Sequence, residues 1–297
     1  MQHQNAQNKL NEKGSGIVQK AALSSALAAT FLTVMKIVVG IKTNSLGILA
    51  EAVHSAIDLV AALVTIWAVR LSATPPDEDH HFGHGKAENI AALFETFLLW
   101  LTCLWIAWEA SNRLLGKTSI EIESSIWGFV IIIISIVVDI TRSRELSRVA
   151  KEYNSQALAA DALHFQTDAY SSMTVLIGLV CYGFGFKWAD SIAALMVVIW
   201  TILVSLKLAK NSFDQLMDRA PEGVESQVLE LLREIPEVKV ISSIKIRQSG
   251  PATFVNITLG MDKTMSFELA HLITEKIEEK IEEKISNSII TIHAEPI

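Results

Sequence analysis

The chain has 297 residues, 51% of them hydrophobic and only 19% charged, with a mean hydropathy of +0.37 and a formal net charge of −7. That balance is too apolar for a soluble globular protein of this length and points to an integral membrane protein. Residues 222–297 carry 8 Lys/Arg against 13 Asp/Glu, so neither this segment nor the remainder has the basic surplus of a nucleic-acid binder.

Residues 1–16 are polar, end in Gly14-Ser15-Gly16 and lack the charged, apolar and cleavage regions of a signal peptide; the expectation is a flexible cytoplasmic tail. Windows of about 20 residues, the length that crosses a bilayer core, predict spans near 17–40, 46–71, 89–114, 125–141, 156–183 and 188–206. The second, third and sixth are plainly apolar. The fourth is short and Ile/Val-rich, and the fifth is diluted by Asp161, His164, Gln166 and Asp168. Lys9, Lys13, Lys20, Arg70, Lys86, Arg142, Arg144, Arg148, Lys151, Lys207 and Lys210 fall on the side shared by the termini, against Lys42, Arg113, Lys117 and Lys187 opposite. Positive charge is retained on the cytoplasmic side, which predicts both termini there. The expected architecture is an all-α six-helix transmembrane domain over 17–210, a linker over 211–222, and a small cytoplasmic α+β domain over 223–297.

In that last domain 224–234 reads as a helix, and 238–247 and 253–261 alternate as strands, with Val255, Ile257, Leu259 and Met261 on one face. Ser249-Gly250-Pro251 marks the turn between them. Leu269, Ile273, Ile277, Ile281 and Ile285 recur every four positions from Ser266 to Ile285, an amphipathic helix, and a last strand is expected over 288–293. A unit this small gains stability from a partner copy.

Two HxxxD pairs, His54 with Asp58 and His164 with Asp168, lie inside predicted spans. Charged side chains there are costly and mark ion or proton pathways. In a helix, residues i and i+4 share a face with Cβ atoms about 5–6 Å apart, so each pair can reach one ion. Together they offer two imidazole nitrogens and two carboxylate oxygens, the tetrahedral set that zinc takes. No HExxH-type motif supplies a catalytic base, which argues for carrying an ion rather than hydrolysing a substrate. The loop Pro76-Asp77-Glu78-Asp79-His80-His81-Phe82-Gly83-His84-Gly85-Lys86 either holds a divalent cation or carries solvated charge. Cys103 and Cys181 form no CxxC pattern and read as packing residues. Glu51, Glu95 and Glu109 read as snorkelling or bonding a neighbouring helix, Asp161 as a support one turn before His164, and Lys36 has no derivable role.

The HxxxD pair of the second span, FGHGKAE at 82–88, DALHFQTD at 161–168, WAD at 188–190 and the acidic α+β tail, in this order, resemble the cation diffusion facilitator family over about residues 17–297. The resemblance implies a homodimeric, six-span exporter of divalent metal coupled to protons, with no resident cofactor, in a bacterial inner membrane, and a tail resembling a metallochaperone. It implies a transport site of His54, Asp58, His164 and Asp168, and a loop site of Asp77, His80 and His84. It also implies tail metal ligands at His271, His293 and Glu295, and a charged link between Lys86 and Asp218. Ser242 and Thr258 stand where some relatives carry His, and Glu295 where they carry Asp, so a complete binuclear tail site is not expected. Two imidazoles and two carboxylates favour zinc over manganese, with cadmium, cobalt, nickel and iron(II) as other cargoes. The rival readings are a membrane-embedded metal sensor without net transport and, third, a metal-dependent membrane hydrolase.

Overall fold

A computed structural model describes residues 2–43, 46–116, 126–183, 188–285 and 287–297. They divide into two compact units, one of Gly14–Thr74 and Ala87–Ser212, the other of Met1–Lys13, Pro75–Lys86 and Phe213–Ile297. Among the described residues, six long helices precede the tail: α1 (Gln2–Thr43), α2 (Leu46–Ser72), α3 (Ala87–Leu114), α4 (Ile126–Tyr153), α5 (Gln156–Gly183) and α6 (Ala189–Leu216). They run this long partly because proline, which breaks a helix interior, is confined to positions 75, 76, 221, 236, 251 and 296.

Over the stretch expected as a flexible tail, α1 begins at Gln2 and passes unbroken through Gly14-Ser15-Gly16. The stretch holds three Gln and two Lys with single Ala, Leu and Glu, all good helix formers, against three Asn that are not. Gly14 permits a close approach, because a Cβ on it would lie 3.0 Å from the Tyr153 ring. The expected linker also starts late: α6 continues to Leu216.

Stretches long and apolar enough to cross a membrane occur among the described residues in Gly14–Lys42, Ala52–Ser72, Ala87–Leu114 and Ser191–Leu216. In α4 the apolar run gives way at Asp139 to Arg142, Arg144, Glu145 and Arg148, yet the helix continues to Tyr153. In α5 the apolar character is interrupted by Asp161, His164 and Asp168.

Packing between these helices relies on small residues. Ala21, Ala22, Ala26 and Ala29 of α1, Ala62 and Ala68 of α2, and Ala157 and Ala162 of α5 are buried in one cluster with Leu146, Leu158 and Phe165. Leu27, Phe31, Leu63, Trp67, Leu104, Trp105 and Leu203 are exposed. Small residues inside and large apolar ones outside is the arrangement a lipid solvent selects, because close backbone approach replaces the hydrophobic effect as the source of cohesion. Helix α5 packs against α2, α3 and α4.

The tail is an α+β domain of α7 (Val224–Arg233), β1 (Val240–Ser249), β2 (Ala252–Met261), α8 (Phe267–Lys284) and β3 (Ser288–Pro296). The sheet order is β1-β2-β3, with β1 antiparallel and β3 parallel to the central β2. Gly250, at φ 55°, makes the tight hairpin. Strand β1 starts two residues later than the alternation suggests, because Val238 N–H still closes a turn onto the Ile235 carbonyl. The Ser266 hydroxyl caps α8 by accepting from the Leu269 N–H at 3.2 Å. Val255, Ile257, Leu259 and Met261 are buried with Ile273, Ile277 and Ile281 of α8, with Ile285 at its C-terminal cap, and with Val228, Leu231 and Leu232 of α7. Leu269, expected in that stripe, is 48% exposed.

Ile277 is 1% exposed at the centre of this core. Ile277→Ala is expected to destabilise the tail by about 2–5 kcal/mol through lost contacts and the cavity left behind, read as a lower denaturation midpoint for the tail. A shift below about 0.5 kcal/mol, the scale of a neutral surface change, would place Ile277 outside the core.

Candidate metal sites

Three of the four residues expected at a transport site meet. His164 and Asp168 stand one turn apart on α5, and Asp58 reaches them from α2. The His164 Nε2 lies 2.9 Å from Asp58 Oδ1 and 3.6 Å from Asp168 Oδ2. One ligand atom from each lies within 4.8 Å of the other two. Their side chains are 9%, 15% and 23% exposed for His164, Asp58 and Asp168, so the group is withdrawn into the helical unit without being fully closed off. His54, one turn before Asp58, is outside this triad, with its ring centroid 6.5 Å from that of Trp105 on α3.

Two charged neighbours of the triad come from other helices. Lys36 of α1 is 8% exposed, and its ammonium donates to Ser55 Oγ at 2.8 Å. It lies near enough to act electrostatically on Asp58, Asp139 and Asp168. Asp139 of α4, 3% exposed, was not singled out from sequence. The available signal was a carboxylate directly after the run IIIISIVV. Asp161 does not orient His164 by a hydrogen bond among those described; its Oδ2 accepts from Ser25 Oγ at 2.5 Å. Glu95, read as bonding a neighbouring helix, accepts from Thr65 Oγ1 of α2. Glu109 pairs with Arg113 at 2.9 Å, and Cys103 is buried and free. The side chains of Glu51 and Cys181 lie outside the described residues, as do Lys117 and Lys187.

The loop residues Asp77, His80 and His84 form the second triad, again with ligand atoms within 4.8 Å of one another. Asp77 stands 3.2 Å from both His80 Nδ1 and His84 Nε2, and the two rings lie 4.5 Å apart. The His80 N–H at 2.6 Å and the Asp79 N–H at 3.0 Å fix the carboxylate. The His80 N–H foremost holds the Asp77 carboxyl below its ordinary range. A fixed anion between two imidazoles is suited to a borderline cation.

This loop is fastened to the β1–β2 hairpin. Arg247 places its guanidinium 4.0 Å from the Phe82 ring centroid and 5.1 Å from that of Phe254, and the rings meet edge to face at 5.5 Å. Such cation–π contacts contribute about 0.5–2 kcal/mol. At Gly85 a Cβ would fall 2.5 Å from the Ser249 carbonyl oxygen, so only glycine allows this approach. Lys86 reaches Asp218 at 2.9 Å and the Leu216 carbonyl at 3.2 Å, and Arg247 stands 3.5 Å from Asp218.

The tail residues do not converge. His271 neighbours Glu275 at 3.5 Å on α8, whereas His293 lies 3.8 Å from Glu295 on β3. Neither pair belongs to a three-ligand group among the described residues.

Residues 22–217 match the family described as cation efflux transmembrane domain, and residues 220–297 match the cation efflux protein cytoplasmic domain. The chain is 31% identical over 288 residues to the cation-efflux pump FieF of Cronobacter sakazakii, covering 97% of this chain and 95% of that protein. It is likewise 31% identical over 282 residues to FieF of Serratia proteamaculans, covering 94% and 93%. The tail resembles the metal-bound C-terminal domain of the CzcD transporter from Thermotoga maritima, with 27% identity over 25% of this chain and 86% of that one, at a TM-score of 0.24.

The Lys86 ammonium, with Arg247 assisting, holds the Asp218 carboxyl below its usual range. A depressed carboxyl contributes stability that is present above its unfolded value of about 3.9 and lost as pH falls through the lower folded value. With Asp218 45% exposed, solvent limits that contribution to about 1 kcal/mol. Acidification below about pH 4 is therefore expected to lower amide protection in the Phe82–Lys86 loop of the native chain, read as the exchange rate relative to the intrinsic rate at the same pH. Asp218→Asn should exchange faster already at neutral pH and show less further change on acidification; an identical acid response in both would remove this pair from the link.

Proposed function

The chain belongs to the cation diffusion facilitator family of divalent-metal efflux transporters, and from that premise we propose that it exports zinc from the cytoplasm in exchange for protons. It is an integral membrane protein and a transporter, not an enzyme. The observation that carries the finer reading is the convergence of Asp58, His164 and Asp168 from two helices within 4.8 Å. Imidazole and carboxylate donors together suit zinc better than an oxygen-only set would. His54, one turn before Asp58, supplies the fourth ligand by turning its ring from Trp105 into the triad. Divalent charge at this depth is cargo, because a sensor has no need of a site inside a membrane domain.

In this reading α4 and α5 cross the membrane with the four more apolar helices, the polar face of α5 turned inward to line the ion path. Both termini lie in the cytoplasm of a bacterial cell, and the tail pairs two copies into a homodimer. Exposed Phe267, Leu269, Leu272 and Ile289 of the tail offer apolar surface for that pairing. The loop triad of Asp77, His80 and His84 takes up a second ion, and His271, His293 and Glu295 bind metal only weakly, lacking a third ligand on either pair. A ligating imidazole must shed its proton before it binds zinc, which gives the exchange its chemical basis.

Purified protein in liposomes tests this. With equal zinc on both faces, an acidic compartment on the side opposite the tail is expected to drive zinc toward it; no movement, in protein active under a zinc gradient, would reduce the exchanger to a facilitator. Asp168→Ala is expected to lower zinc flux by more than the roughly 10–100-fold that losing an outer-shell partner costs, in protein that remains folded. Flux retained in that variant would remove Asp168 from the transport site.

A further inference from the structure

The helical unit buries more carboxylates than its metal triad uses, and they differ in how they are satisfied. Glu88, 3% exposed at the start of α3, accepts from the Ser155 hydroxyl, from Ser72 and from the N–H groups of Gln156 and Ala157 at the start of α5. Four donors make Glu88 a structural clasp between two helices. Asp139 has the Lys36 ammonium in electrostatic reach. Glu95 has neither. It lies two turns beyond Glu88 on α3, 3% exposed; Thr65 donates to its Oε1, while Oε2 is buried with no hydrogen-bond partner among the described residues.

The charged groups facing Glu95 are Asp161 and His164 of α5. Asp161 is 2% exposed, with Ser25 of α1 as its hydroxyl donor, and the charges facing it are His164 and Asp168. No lysine or arginine stands among these neighbours. The one basic group facing both acids, His164, is already committed to Asp58 and Asp168, so two buried acids with one hydroxyl donor apiece cannot both remain ionised without a further cation.

We propose that Glu95 and Asp161 form a proton-holding carboxyl pair, distinct from the metal ligands, whose proton is released when a divalent cation occupies Asp58, His164 and Asp168. The occupant is a proton rather than a second metal ion because a metal needs three or more ligands and neither residue joins a three-ligand group among those described. A proton needs one carboxyl oxygen. The pair stands beside the metal triad through the shared helix, Asp161 one turn before His164, so the arriving double positive charge acts on it through a short, poorly screened distance and favours its ionised form. Cargo and proton then exclude one another electrostatically while occupying different side chains. This deepens the exchange reading above and rests on it.

The test compares two zinc fluxes in liposomes containing the full chain: one driven by a pH difference at equal zinc, the other by a zinc difference at equal pH. The ratio of the first to the second is expected to fall about fivefold or more in Glu95→Gln, which keeps the size and the Thr65 hydrogen bond but cannot ionise, and in Asp161→Asn. Glu95→Asp, still titratable, is expected to keep most of the ratio. A wild-type ratio in the Gln and Asn variants overturns the pair while leaving exchange intact. Absence of pH-driven flux in the wild type overturns the exchange reading, and the pair with it. Zinc bound per chain is measured alongside: one ion fewer in Glu95→Gln with the ratio unchanged would make this a metal site and defeat the proton assignment. Should Glu95→Gln fail to yield monodisperse protein, Asp161→Asn decides by the same ratio.

Discussion

Charge held between apolar helices has to be compensated on the spot, and the helical unit is organised by that requirement. Helix α5 carries Asp161, His164 and Asp168 on neighbouring turns; Ser25 of α1 donates to Asp161, Asp58 of α2 pairs with His164, and Lys36 of α1 stands in electrostatic reach of Asp168, while Glu95 of α3, bonded by Thr65, and Asp139 of α4 add further carboxylates. Water at such depth is scarce, so these groups satisfy one another or wait for a cation. A site with a deficit of positive charge is poised for uptake; one with every charge matched would have nothing to gain from an ion.

The same requirement explains the use of small side chains. Short side chains such as those of Ser25, Ser55 and Thr65 can touch their partners only where helices come close, and the buried alanines of α1, α2 and α5 provide that approach. Thr33 illustrates the closeness, since its hydroxyl reaches the Ser55 carbonyl at 2.9 Å while also bonding the Ala29 carbonyl one turn back. The backbone carrying Ser55 is thereby fixed from α1, and Ser55 in turn takes the Lys36 ammonium. Position at the metal triad is thus inherited from contacts that involve no metal ligand.

What could be read from the residue order was whatever has a fixed period. The i, i+4 spacing of His164 and Asp168 survives into the structure as a shared face, and the four-residue recurrence of Ile273, Ile277, Ile281 and Ile285 survives as the buried stripe of α8. The alternation of β2 likewise gave the buried face of the sheet. Side-chain direction has no such signature. His54 has the right spacing from Asp58, yet its ring lies by Trp105, because rotamer choice depends on a neighbouring helix. Asp139 and Lys36 were isolated charges in apolar runs, and their meaning comes from residues more than 100 positions apart in sequence that only packing brings near. The continuation of α4 to Tyr153 was hidden for another reason: hydropathy ends where the apolar run ends, whereas helical hydrogen bonding does not.

The loop after α2 is where local chemistry and domain structure meet. Its candidate metal triad is Asp77, His80 and His84, and the very next residues, Gly85 and Lys86, are committed to Ser249 and Asp218. Phe82 lies within the first set, between His80 and His84, and against Arg247. An ion held by the two imidazoles and Asp77 would therefore act on the same stretch of backbone that the hairpin grips. Coordination geometry is less tolerant of displacement than a cation–π contact, whose attraction changes slowly with position. The looser contact would be the one to adjust, with the Lys86–Asp218 pair and the Gly85 approach as the fixed points of the loop.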